Sequence, residues 1–217
     1  MKRKELNHVS SAEFTTHQEK LHASVHVLGV LFGLIAVPLL ILSAQHKDLY
    51  SRLAISVYGI TFLMVFTFST MYHACMEPTL KKLYKKLDRI SIYFLIAGTY
   101  TPIIRFYLFD STGVMLLWVL WSLVIVGILF EIFFPDRFPV FSILFYVFMG
   151  SICLFVPDHF FASMPELVAR LIVTGLVFYI TGVIFYVWQK WEYHHVVWHS
   201  FVLVASICHY LAVLYAM

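Results

Sequence analysis

The sequence predicts an all-α integral membrane protein, a bundle of seven transmembrane helices with a cytoplasmic N-terminus and an outside C-terminus. Three observations predict this fold class. Apolar residues make up 61% of the 217 residues and charged residues only 12%, whereas a soluble domain has about 25% charged residues. Seven apolar runs are each long enough to cross ~30 Å of hydrocarbon as a helix. Lysine and arginine are concentrated in alternate connections between these runs, which is typical of the cytoplasmic side.

Short connections join the seven runs, so we expect one transmembrane domain over residues 1–217, with residues 1–24 as a cytoplasmic N-terminal segment. The first run is too long for the apolar part of a signal peptide and follows a largely polar segment, so we expect it to be retained. The fifth run is the shortest. In chain order the runs are Val25–Ala44, Leu53–His73, Ile90–Phe109, Val114–Phe134, Val140–Pro157, Leu167–Trp188 and Val196–Met217.

The orientation follows from the basic residues. With the N-terminus inside, the inner segments hold eleven of the fifteen, and the outer segments hold Lys47, Arg52, Arg105 and Arg170. The run "KKLYKK" at 81–86 is the strongest orienting signal. A role in topology accounts for it, so we expect no nucleic-acid partner. The inner residues are Lys2, Arg3, Lys4, Lys20, Lys81, Lys82, Lys85, Lys86, Arg89, Arg137 and Lys190.

Histidine, serine and aspartate residues mark the inner ends of three runs. "HHVVWHS" at 194–200 places His195 and His199 four residues apart, and "FSTMYHACM" does the same for Ser69 and His73, so each pair shares a helical face. Asp88 stands in "KKLDRIS", at the foot of the third run. The predicted topology brings these side chains to one depth of the inner leaflet. Ionisable groups at a membrane rim mark a functional site by default.

This set of residues is typical of a metal site. Three neutral imidazoles with an open fourth position form a catalytic zinc arrangement, so we predict Zn²⁺ held by His73, His195 and His199. Asp88 would orient or deprotonate the water, which zinc makes more acidic, and Ser69 would donate to an oxyanion or orient a ligand. The alternative is that these histidines are interfacial anchors or hydrogen-bonded core residues, because an HxxxH pair alone is a weak signal.

Four other histidines carry separate expectations. His22 and His26 form a rival pair at the inner end of the first run, and we expect them to pack against the polar cluster rather than to bind metal. His194 points about 100° away from His195 on a helix, so we expect it to face the lipid headgroups. His209 lies too far along the last run to join the site, and we expect it to form a hydrogen bond inside the bundle.

The motifs resemble the hemolysin III family, within the progestin and adiponectin receptor superfamily. The resemblance covers nearly the whole chain and is carried by "ST" and "YH" around Ser69–His73, by "LDRISIYFLIAGTYTP" at 87–102 and by "HHVVWHSFVLVASICHY" at 194–210. A helix-1 pattern usually written E-x-x-N-x-x-x-H falls on Glu19, His22 and His26. His22 therefore stands where the pattern has asparagine.

The resemblance implies a seven-helix fold with the N-terminus inside and zinc held by His73, His195 and His199. It also implies Asp88 near the water on the metal, with Ser69 close by. The superfamily is similar to alkaline ceramidases and is regarded as a set of membrane metal hydrolases acting on lipid amides. Bacterial members carry a haemolysin name and have been linked to membrane-lipid homeostasis.

Three functions remain open at this point. The first is a zinc-dependent hydrolase in the cell membrane, which takes a lipid amide or ester from the bilayer. The second is a non-enzymatic membrane sensor or regulator with a structural zinc. The third is a haemolysin-type pore, which the apolar outer halves of the runs disfavour. An open metal position and a nearby Asp88 favour the enzyme, since structural zinc sites are usually closed by four protein ligands.

Overall fold

The computed structural model describes residues 14–135 and 137–217, and these are folded into helices and their connections. The expectations placed on Lys2, Arg3 and Lys4 lie outside the described residues. No strand occurs within the described ranges, so the predicted all-α class is confirmed. The helices are α1 (Thr16–Ser43), α2 (Leu49–Ala74), α3 (Pro78–Tyr107), α4 (Ser111–Phe133), α5 (Pro139–Gly150), α6 (Pro157–Phe161), α7 (Glu166–Val187) and α8 (His194–Tyr215).

Five of these helices, α1, α2, α4, α7 and α8, are long and apolar enough to cross a membrane. Helix α3 has 30 residues and begins well before the predicted third run, because the basic segment 81–86 forms its first turns. The prediction of one continuous fifth helix is wrong. Helix α5 has 12 residues, a length of about 18 Å, and the chain continues through a 3₁₀ segment at Ile152–Phe155 into the short α6.

The break after α5 is stabilised by a side chain from α3. The Tyr100 hydroxyl donates to the Gly150 carbonyl at 2.8 Å and accepts from the Cys153 amide at 3.2 Å. Inside a membrane bundle, backbone groups that leave a helix must find partners in the protein. Tyr100 satisfies one carbonyl and one amide at this point, so the fifth element can change from α to 3₁₀ geometry.

The bundle packs most closely around α2. Helix α1 packs against α2 and α8, α2 packs against α3, and α7 packs against α8, whereas α5 and α7 hardly touch. A Cβ atom at Gly98 would overlap Thr61, so glycine permits the close approach of α2 and α3. The aromatic side chains of Tyr58, Phe62 and Phe66 fill the centre of the bundle and are fully buried.

The end of α2 opposite His73 is capped by Asp48. Its carboxylate accepts from the amides of Tyr50 and Ser51, from the Ser51 hydroxyl at 2.6 Å and from Arg105 at 3.0 Å. The hydrogen bond from the Ser51 hydroxyl, followed by that from Arg105, lowers the pKa of Asp48 far below its usual range. This cap also ties α2 to the end of α3.

Candidate metal centre

One face of α1 contributes an acidic residue and two histidines to the end of the bundle where α2 ends and α8 begins. Glu19, His22 and His26 are three and four residues apart, so they share this face, and all three are buried. A capping box starts the helix at Thr15. The side-chain amide of Gln18 donates to the backbone carbonyl of Glu192 at 3.1 Å, which holds the start of α1 against the turn before α8.

Four imidazoles from α1, α2 and α8 form the histidine cluster, which consists of His22, His73, His195 and His199. One ring nitrogen of each lies within 4.8 Å of those of the others. The Nε2 atoms of His73 and His199 are 3.1 Å apart. His195 is half-buried and the other three are buried. The structure therefore brings together the three histidines singled out in the sequence and adds His22.

Two members of the cluster are oriented by hydrogen bonds behind them. The Nδ1 atom of His73 donates to Glu19 at 2.6 Å, since a carboxylate can only accept, and Lys81 lies 2.7 Å from the other oxygen of Glu19. The Nδ1 atom of His199 is 2.7 Å from Nε2 of His26. A histidine whose Nδ1 makes such a bond presents Nε2 to a metal, and this arrangement recurs behind metal-ligating histidines.

The donor set of the cluster fits a transition-metal ion. Two nitrogens bound tetrahedrally at ~2.0–2.1 Å are about 3.4 Å apart, and the 3.1 Å between His73 and His199 is close to this spacing. Imidazole nitrogens suit zinc, copper, iron or nickel, whereas magnesium and calcium prefer oxygen ligands. The cluster could hold such an ion with small side-chain adjustments.

Asp88 and Ser69 lie outside the histidine cluster but line the same cavity as His195 and His199. The Ser69 side chain lies beside the Asp88 carboxylate. Its hydroxyl is buried, and within residues 14–135 and 137–217 it makes no hydrogen bond of normal geometry. It lies close enough to Asp88 to donate to that carboxylate, or it can donate to a molecule that enters the cavity.

The cavity has a volume of about 220 Å³ and runs beside α2, α3, α5, α7 and α8. Its polar end holds Lys85, Asp88, Arg89, His195 and His199. Its apolar walls are formed by Ile92, Leu95, Ile96, Val147, Leu176, Ile180 and Val183, and its far end is lined by Thr99, Tyr100 and His209. The cavity passes between α5 and α7, where the helices hardly touch. A polar end followed by a long apolar section suits an amphiphilic molecule.

The comparison with known proteins identifies the family. The model of proteins described as "Haemolysin-III related" matches residues 14–210. The chain belongs to this family. "Hemolysin-3 homolog" of Bacillus subtilis (strain 168) is 35% identical over 203 residues, 93% of this chain and 95% of the relative. "Hemolysin-3" of Bacillus cereus is 35% identical over 199 residues, 91% of each chain.

A human relative of this haemolysin-III-related protein is the "Monocyte to macrophage differentiation factor". It is 26% identical over 174 residues, which cover 76% of this chain and 71% of the relative. No solved structure matches the chain. The family and the apolar helices together show a multi-pass membrane protein, as the sequence predicted.

The structure shows where His194 and His209 lie in this haemolysin-III-related chain. His194 was expected at the headgroups, and this is wrong: it is 7% exposed, and its Nδ1 lies 3.1 Å from the Phe185 carbonyl. The last carbonyls of a helix need partners from outside it, and the turn after α7 brings His194 to one of them. His209 does form the expected hydrogen bond inside the bundle, with Nε2 3.1 Å from the Ile172 carbonyl.

The role of Glu19 and the position of His22 were not predicted from the sequence. His22 was expected to pack near the polar cluster, and it lies within the cluster instead. Glu19 was noted only as a position of the helix-1 pattern, yet it contacts His73. The signal was the spacing of Glu19, His22 and His26, which places all three on one side of α1.

Proposed function

We propose that this protein is a zinc-dependent hydrolase of a lipid amide or ester and acts in membrane-lipid homeostasis. The observation that carries the proposal is the single cavity shared by His195, His199, Asp88 and Ser69. Its apolar walls would receive the acyl chain of a lipid that enters from the bilayer. Its polar end would hold the amide or ester group.

The proposed zinc ligands are His73, His195 and His199. A zinc ion at this position supplies Lewis-acid chemistry, because it polarises a carbonyl group and lowers the pKa of water. Glu19 and His26 hold two of the ligands through the hydrogen bonds at 2.6 and 2.7 Å. These bonds keep Nε2 of His73 and of His199 directed into the cluster.

Asp88 is the proposed general base. Its carboxylate accepts a proton from the attacking water and passes it to the departing amine or alcohol, a role that typically contributes ~10²–10⁴-fold in rate. The hydroxyl of Ser69 donates a hydrogen bond to the reacting carbonyl oxygen or to Asp88. The apolar walls exclude bulk water from the acyl chain.

A second function is favoured by a different observation. Four imidazoles converge in the cluster, and zinc sites closed by four protein ligands are usually structural. The protein would then be a membrane sensor or regulator, in which a metal ion ties α1, α2 and α8 together.

The two functions are separated by one set of measurements on the purified full chain. Vesicles with amide- and ester-linked lipids are incubated with the protein after zinc removal and after zinc return, and fatty-acid release is followed by mass spectrometry. Release should require zinc and fall ~10²–10⁴-fold in Asp88→Asn, while the zinc content of this variant stays the same. Ser69→Ala should cost less. If none of the lipids were hydrolysed and the bundle lost thermal stability when zinc was chelated, the regulator would be the function.

The zinc ligands are tested separately from activity. His73→Ala, His195→Ala and His199→Ala should each lose most of the zinc, as measured by elemental analysis. His46→Ala is the matched control, because this histidine is exposed and its only hydrogen bond among the described residues is to Gln45. Full zinc in a His195→Ala/His199→Ala double variant would contradict the assignment.

A further inference from the structure

His22 occupies the position that a fourth metal ligand would take. Four imidazoles around one tetrahedral ion have ring centroids about 5 Å apart, given metal–nitrogen bonds of ~2.0–2.1 Å. The centroid of His22 lies 4.8 Å from that of His73, 4.7 Å from His195 and 5.4 Å from His199. The distances among the other three rings run from 4.4 to 5.6 Å. His22 is therefore as close to each of them as they are to one another.

The Nδ1 atom of His22 lacks the hydrogen bond that orients His73 and His199. It is 3.9 Å from Glu19, beyond hydrogen-bond distance, and has no partner in the described part of the chain although it is buried. His73 is fixed by Glu19 and His199 by His26. His195 shares a helical face with His199, so these two rings approach an ion as a chelating pair. His22 is a single donor from α1.

We infer that His22 is an exchangeable fourth ligand, which closes the metal site at rest and yields its position to a small oxygen or nitrogen ligand arriving from the cavity. The inference rests on the proposed ligands His73, His195 and His199. Four imidazoles would leave no free position on a tetrahedral ion, yet the site adjoins a cavity that could deliver a further ligand. Movement of the His22 ring alone would open that position.

The number of imidazole ligands tests the inference directly. X-ray absorption spectroscopy of the purified zinc-loaded chain should give four imidazoles. His22→Asn and His22→Ala should each lose one imidazole and gain a light-atom ligand while still holding zinc. His46→Ala should keep all four. Three imidazoles in the unchanged protein would overturn the inference, and this measurement does not depend on how the variants fold.

Exchange is tested with azide on the cobalt-substituted protein, followed by visible absorption. Azide should bind His22→Asn more tightly than the unchanged chain, in which it must first displace an imidazole. Equal azide affinity in both would overturn the exchange. Failure of the metal site itself gives a different result, namely full zinc in the His195→Ala/His199→Ala double variant. The two failures are therefore distinguishable.

Discussion

Replacing Glu19 tests whether the hydrogen bond behind His73 controls metal affinity. Glu19 is 7% exposed, and its two oxygens contact His73 at 2.6 Å and Lys81 at 2.7 Å. Glu19→Gln keeps an oxygen that can accept from His73 but removes the charge. Glu19→Ala removes the acceptor as well, so Nδ1 of His73 is left without its partner and the ring is free to turn.

The size of the effect follows from this difference. Loss of a partner behind a metal ligand typically costs 10–100-fold in metal affinity, which is about 1.4–2.8 kcal/mol. We expect Glu19→Gln near the lower end, because the hydrogen bond survives in neutral form. We expect Glu19→Ala near the upper end. Glu19→Ala should therefore bind zinc more weakly than Glu19→Gln, whatever the absolute size of the two losses.

Zinc affinity is measured by competition with a chelator in detergent. Glu166→Gln is the matched control, because Glu166 also pairs with a basic residue, Arg170, but both side chains are about three-quarters exposed and lie outside the site. It should bind zinc like the unchanged chain. If Glu19→Ala also bound zinc with unchanged affinity, the 2.6 Å contact would have no part in holding the ligand.

Three further predictions concern topology and stability. Basic residues are concentrated on the predicted cytoplasmic side of the helices. A reporter fused after Met217 should therefore be active outside the cytoplasm, and a reporter in the turn between α2 and α3 should be active inside. A cytoplasmic C-terminus would reverse the orientation. The pKa of Asp48 is lower in the folded chain than in the unfolded chain, so its carboxylate should stabilise the fold above about pH 4 and lose this effect as the pH falls further. The difference in unfolding temperature between Asp48→Asn and the unchanged chain should therefore shrink in acid. A difference that stays constant with pH would contradict this. Tyr100→Phe leaves the Gly150 carbonyl and the Cys153 amide without their hydrogen-bond partner, which costs about 1–3 kcal/mol of stability for each group. The unfolding temperature should therefore drop without loss of zinc. An unchanged temperature would show that other groups bond to this carbonyl and amide.

The fold was predictable because hydropathy alone separates helices from connections in a membrane protein. Six of the seven runs became single helices of sufficient length. The fifth did not: α5 ends at Gly150 and a 3₁₀ segment follows at Ile152–Phe155, although the hydropathy of the run is unbroken. The compensating contact is made by Tyr100, which is about fifty residues away in sequence, and such a partner cannot be read from local pattern.

The candidate site was predictable in part. Charge bias and span counting placed His73, Asp88 and the His195–His199 pair at one end of the bundle, and the structure brings the three histidines together. His22 and His26 of α1 were expected to pack against the cluster, and His26 does contact His199. The contact between Glu19 and His73 was not predicted, because local sequence does not show which side of a helix meets its neighbours. His194 was misjudged for a related reason, since its angle on α8 says nothing about the turn that covers it.

The four imidazoles of the cluster are synthesised in two groups that are far apart in the chain. His22 and His73 belong to the first two helices, whereas His195 and His199 emerge more than a hundred residues later, which at 5–20 residues per second is a delay of roughly 10 s. During this interval His22 and His73 can contact each other, as they do in the finished bundle, but His195 and His199 are not yet present. The last helix therefore completes the cluster as it inserts between α1 and α7. A chain synthesised only as far as α7 therefore holds two of the four imidazoles, and the other two arrive together with α8.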